Sequence, residues 1–147
     1  MRGMPVKLLG FSEFKKIMEK AGHEPLDILV KNTGIVYVVA VTREKCPGCE
    51  KQKPLFEKLS DRLSEKYPDQ IRFFTVQSAF SREHTEEAKQ CAIAFQTVAF
   101  PTYVIAIKDS DGKTRETYRA IEPPMSEIER NVRTSSQIAS WVKKPKD

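Results

Sequence analysis

The stretch IVYVVAVTREKCPGCEKQKP, residues 35–54, decides the fold. Its first eight residues, Ile35 to Thr42, are almost all β-branched or aromatic. A run that is apolar at every position, not at alternate ones, predicts a strand buried on both faces, as in the middle of a sheet. Two cysteines three positions apart, Cys46 and Cys49, follow it directly, with Pro47 and Gly48 between them. From Pro47 onward Leu55, Phe56, Leu59 and Leu63 recur at helical spacing, and the pattern stops near Tyr67 and Pro68. Pro47 suits the first turn of that helix, where its missing N–H leaves no helical bond unmade. The cysteines therefore stand where a buried strand gives way to a helix.

Outward from this centre, the same two periods alternate. VKLLG (6–10) reads as a short strand. Ser12 is placed to cap a helix carrying Phe14, Ile17, Met18 and Ala21, and Gly22 stops it. Pro25 opens a second, two-turn helix that Gly34 can end. IRFFTVQ (71–77) is another buried strand, and Ser81 is placed to cap a helix with the stripe Ala88, Cys91, Ala92 and Phe95. Residues 102–121 form two strand-like runs around Asp111-Gly112, a hairpin signal. Residues 125–143 place Ile128, Val132, Ala139 and Val142 on one helical face. Thr134-Ser135-Ser136 can break that helix, and Trp141 reads as its anchor. The order β-α-α-β-α-β-α-β-β-α implies an α/β protein with a central mixed β-sheet flanked by helices on both faces.

The 147 residues, 39% of them hydrophobic, suffice for one core and are too few for two, so residues 1–147 are expected to form a single domain. No apolar run is long enough to cross a bilayer, and the start lacks a signal-peptide run, which points to the cytoplasm. The net charge of +5 is spread among interleaved glutamates. That pattern describes a solvated surface, with no nucleic-acid or membrane contact. His23 and His84 read as surface residues, and the closing KKPKD as a frayed, charged end.

Three cysteines in a reducing compartment do not make a structural disulfide framework. A Cys-x-x-Cys beside a strand–helix junction instead points to redox or metal chemistry. The first-turn N–H groups of a helix lack helical partners, and the helix dipole is positive there. Both favour a thiolate at Cys46. An ordinary thiol of pKa about 8.5 is only about 3% ionised at pH 7, and lowering it by one unit gives roughly a quarter. Arg43, Lys45 and Lys51 push the same way, while Glu44 and Glu50 oppose. Cys46, outermost, is expected to attack a substrate disulfide. Cys49, one turn deeper, then attacks the mixed disulfide. Zinc would need two more ligands, and only Cys91, His84 and His23 could supply them. Cys91 lies in an apolar stripe and reads better as a small buried hydrophobe.

The segment CPGCEKQKP resembles the active site of the thioredoxin superfamily, with Pro54 eight residues after the first cysteine. Phe100-Pro101-Thr102 resembles the cis-proline loop of that family. The resemblance covers roughly residues 6–142. It implies a thioredoxin-like fold in which Pro101 lies against Cys46 and Phe100, Pro101 and Thr102 grip an extended substrate. It also implies thiol–disulfide exchange on protein disulfides through Cys46 and Cys49, with Pro47 and Gly48 completing the motif. No bound cofactor or metal is called for. An external thiol reductant or reductase would recycle a monomer, and the direction, reductase or isomerase, stays open. The rivals are a non-catalytic protein-binding module of the same fold and a small zinc-binding domain. Departures from the family are clear. Lys45 replaces a tryptophan, and Pro47-Gly48 inverts the usual Gly-Pro. Ala40 stands where a buried aspartate handles the resolving thiol's proton, which leaves that proton to water, Glu44 or Thr42. No glycine follows the hairpin near Ile121, and residues 23–33 and 78–90 are additional.

Overall fold

The computed structural model describes residues 6–143, so the charged end expected at KKPKD lies, beyond Lys143, outside the described residues. In chain order the elements are β1 Lys7–Gly10, α1 Phe11–Ala21, α2 Pro25–Leu29, β2 Val36–Arg43, α3 Pro47–Lys66, β3 Ile71–Ser78, α4 Glu86–Ala94, β4 Thr102–Lys108, β5 Thr114–Ile121 and α5 Met125–Lys143. The strands form one five-stranded sheet in the order β1-β3-β2-β4-β5. β1, β3 and β2 run parallel, while β4 and β5 are antiparallel to their neighbours. The sheet is therefore mixed, as the sequence predicts.

β2 sits in the centre, and its side chains divide by the period of two. Val36, Val38 and Ala40 face a layer built by Phe56, Leu59 and Leu63 of α3 and Ile128, Val132 and Ala139 of α5. Val39 and Val41 face the opposite layer, with Phe11 and Phe14 of α1 and Cys91 of α4. Phe56 is the hinge pin of the first layer, with ring centroids 5.8 Å from Phe73 and 5.2 Å from Tyr103. Phe14 stacks on Phe95 at 5.9 Å in the second. Aromatic pairs at these distances add to the burial that holds helix on sheet.

Several local expectations are corrected. Ser12 caps nothing: β1 runs straight into α1 with Gly10 at the N-cap, because burying Phe11 draws the helix start forward. Gly22 does stop α1, in the left-handed conformation at φ 69°. α2 ends at Leu29 after little more than a turn, and Gly34 falls in the following loop. Ser81 accepts a bond from the His84 N–H in a turn, and α4 starts later, at Glu86. The Thr134-Ser135-Ser136 break does not occur. The Ser135 hydroxyl is buried against that of Thr117 at 2.7 Å, and Thr134 bonds back to the Arg130 carbonyl. Both hydroxyls are satisfied without opening the helix. Trp141 is 71% exposed and anchors nothing, and Leu55 and Ile17 leave their stripes for solvent.

Cys91 is fully buried between the sheet and α1, and burial, aided by the charge of Glu87, pushes its thiol from 9.0 up to about 12. The native state therefore keeps the proton that the unfolded chain releases. That contribution to stability is complete below pH 9 and is lost as pH rises from 9 to about 12. Cys91→Ala should fold, cost ~1 kcal/mol, and show a shallower loss of melting temperature over this alkaline window than the wild type. Thermal melts of both proteins from pH 8 to 11 check this, and parallel curves would contradict it.

Candidate active site

The end of β2 at Arg43 and the start of α3 at Pro47 leave three residues for a tight turn, and Lys45 takes a left-handed φ of 54° within it. Arg43 braces this turn. Its guanidinium donates to the carbonyls of Glu44 and Lys45 at 3.2 and 3.1 Å and lies 3.9 Å over the ring of Phe80. The Arg43 charge is thus spent on the loop backbone, which its place in the sequence does not reveal. Glu44 also turns away, its carboxylate accepting from the Phe80 N–H at 3.2 Å.

Cys46 is the N-cap of α3, in extended conformation, with Pro47 in the first turn. Its sulfur accepts the Cys49 N–H at 3.2 Å, and its carbonyl accepts the Glu50 N–H at 3.0 Å. A side chain that takes a free first-turn N–H is what an N-cap provides. Here that atom is the sulfur itself, so the helix end points its partial positive charge at Cys46. Cys46 and Cys49 are joined as a disulfide, with Cα atoms 5.2 Å apart. Exposure does not rank them as outer and inner: they are 5% and 7% exposed. What separates them is their place on the helix end. α3 continues through Pro54, which lacks the N–H for the bond to the preceding turn.

The residues of the second motif come to the same place. The Phe100–Pro101 peptide is cis, and the Phe100 carbonyl oxygen lies 3.7 Å from Cys46 Sγ. Phe100 packs against the core layer of α1 and α4. Thr102 is fully buried, and its hydroxyl donates to the Ala99 carbonyl at 2.7 Å and contacts that of Thr97. It therefore shapes the Pro101 loop from inside and offers no surface to a substrate. Val98, in the same loop, is 92% exposed.

A cleft of about 350 Å³ borders Cys49, lined in part by Ala40, Thr42, Glu44, Glu57 and Tyr103. The short Ala40 side chain leaves this volume free. Thr42 Oγ1 is buried there without a hydrogen-bond partner among the described residues. Both groups that the sequence offered for the Cys49 proton, Thr42 and Glu44, thus border the cleft that Cys49 borders. Burial, and then the charge of Glu122, hold the Tyr103 hydroxyl above its ordinary range, so it stays protonated. His23, His84 and Cys91 do not join the pair. Among the described residues no group of three or more His, Cys, Asp or Glu side chains gathers to hold a metal.

Two residues at the site escape a reading of the sequence. Gln52 is buried, and its amide donates to the Pro123 carbonyl at 2.8 Å, tying α3 to the segment after β5. Glu122, the first residue after β5, donates its N–H to the Pro101 carbonyl at 2.9 Å. Neither follows from local pattern, because each depends on which loops the sheet brings together.

No known family profile matches the chain, and no curated protein matches it. Solved structures do. A thioredoxin from Malassezia sympodialis is 22% identical with a TM-score of 0.57, over 92% of this chain and 93% of its own. A thioredoxin from Nicotiana alata is 19% identical with a TM-score of 0.56, over 91% and 96%. The oxidised mitochondrial thioredoxin 3 of Saccharomyces cerevisiae is 20% identical with a TM-score of 0.53, over 88% and 94%. This chain has the thioredoxin-like fold, with its Cys-x-x-Cys pair at the mouth of α3 beside a cis-proline loop.

Proposed function

We propose that the protein is a thiol–disulfide oxidoreductase acting on protein disulfides through Cys46 and Cys49. The observation that carries this reading is the position of the Cys46 sulfur. It takes the free N–H of Cys49 at the positive end of α3 and lies 3.7 Å from the Phe100 carbonyl at the Pro101 loop. A helix terminus that stabilises a thiolate, set beside a backbone edge that can align an extended chain, fits nucleophilic attack on a disulfide.

The exchange has two steps. The Cys46 thiolate attacks one sulfur of the substrate disulfide, forming a mixed disulfide and expelling the other sulfur as a thiolate, which takes a proton from solvent. Cys49 gives up its proton to water in the cleft, and its thiolate attacks Cys46 Sγ. The second substrate thiolate leaves, and the Cys46–Cys49 disulfide remains. Two electrons have passed to the substrate, and an external dithiol or thiol reductase returns them to the protein. Phe100 forms the docking edge, buried Pro101 and Thr102 hold that edge in shape, and Pro47 and Gly48 set the helix mouth. The cytoplasm, with its reducing thiol pool, is the compartment this direction suits.

Reduction of insulin disulfides by the pre-reduced protein tests the reading. Cys46→Ser should abolish turnover. Cys49→Ser should lose turnover yet accumulate a mixed disulfide, seen by non-reducing electrophoresis and released by dithiothreitol. Wild-type protein that binds insulin without reducing it would make the domain a non-catalytic binding module instead.

A further inference from the structure

Glu122 is exposed, at a backbone position that does not suit most side chains. It has a left-handed φ of 46°, a conformation that glycine adopts freely and other residues adopt under strain. Its backbone is fixed on both sides. Its N–H is bonded to the Pro101 carbonyl, and the next carbonyl, of Pro123, is held by buried Gln52. Pro123 and Pro124 follow, so the segment cannot easily relax.

The side chain reaches across the mouth of α3. A Cβ added at Gly48 would collide with Glu122 Oε1, lie 3.0 Å from Glu122 Cδ and lie 3.3 Å from Pro101 Cδ. The carboxylate thus bridges the gap between the Cys46–Cys49 turn and Pro101. It makes no ion pair among the described residues. Its chain neighbour Ile121 is 49% exposed, so apolar surface adjoins it.

We infer that Glu122 determines specificity in the groove, favouring disulfides flanked by cationic side chains and disfavouring those flanked by anionic ones. The inference rests on the oxidoreductase reading above. A substrate strand lying along Pro101 must pass the unpaired carboxylate. A lysine or arginine beside the substrate cysteine pairs with it, and a glutamate there is repelled. Because the site is partly open to solvent, the effect of each charge is modest and screened by salt.

Two disulfide-closed peptides, identical except for lysine or glutamate beside the target cysteine, test this with the full chain. At low salt the wild type should show kcat/KM on the order of fivefold higher for the lysine peptide, and the ratio should shrink toward one in 0.5 M salt. Glu122→Gln should bring the ratio near one at all salt concentrations, and Glu122→Lys should invert it. Glu122→Gly, which suits the left-handed backbone, guards against a folding failure of the others and should also give a ratio near one. A wild type that reduces both peptides equally, or a preference kept in Glu122→Gln and Glu122→Gly, overturns the inference and leaves the oxidoreductase reading intact. A wild type that reduces neither peptide, nor insulin, overturns both.

Discussion

Strand β2 is paired along both edges, with parallel β3 on one side and antiparallel β4 on the other, and Val36 to Thr42 are buried. Each of its side chains must therefore fit one of two packed layers, and the strand has no freedom to slide. A slip of one residue would turn Val36, Val38 and Ala40 into the wrong layer. That constraint fixes where β2 ends, and hence where Cys46 emerges. α3 is pinned in turn by Phe56, Leu59 and Leu63 against the same strand. The position of the sulfurs is a consequence of core packing more than of any contact the sulfurs make.

Competing charges then tune the site. The helix end and the N–H of Cys49 favour a negative sulfur, with an effect of about 0.3–1 kcal/mol for an exposed group and up to about 2 where partly buried. Arg43 would add to this but is held by loop carbonyls, and Glu44 would oppose but is held by Phe80. Glu122, whose carboxylate lies over Gly48, adds an anion at the helix mouth and makes no ion pair among the described residues. Lys45, Glu50 and Lys51 also stand beside the cysteines, so Glu122 joins a mixed set of charges at the mouth of α3. This balance is absent from a count of charges in the motif.

The parts of the fold set by local pattern were legible in the sequence. The continuous apolar run gave β2, the helical stripe after Pro47 gave α3, and Asp111-Gly112 gave the β4–β5 hairpin. Helix starts were not, since Ser12 and Ser81 look like caps but burial of Phe11 and the turn at His84 decide otherwise. The conjunction of Cys46 with Phe100 and Pro101 could be expected only through the resemblance to thioredoxins, because Phe100 lies 54 positions along the chain from Cys46. Glu122 was visible only as a missing glycine. Its placement over Gly48 depends on the exit of β5, the bond to Pro101 and the grip of Gln52 on Pro123, none of which has a local signature.

On this chemistry the end of α3 makes Cys46 the attacking thiol. Site-resolved alkylation distinguishes the two thiols. The reduced protein is treated with limiting iodoacetamide at pH 7, and labelled peptides are quantified by mass spectrometry. Cys46 should be labelled well ahead of Cys49, by about tenfold or more, as a thiolate at a positive helix end requires. Labelling of Cys49 first, or of both at the same rate, would contradict it.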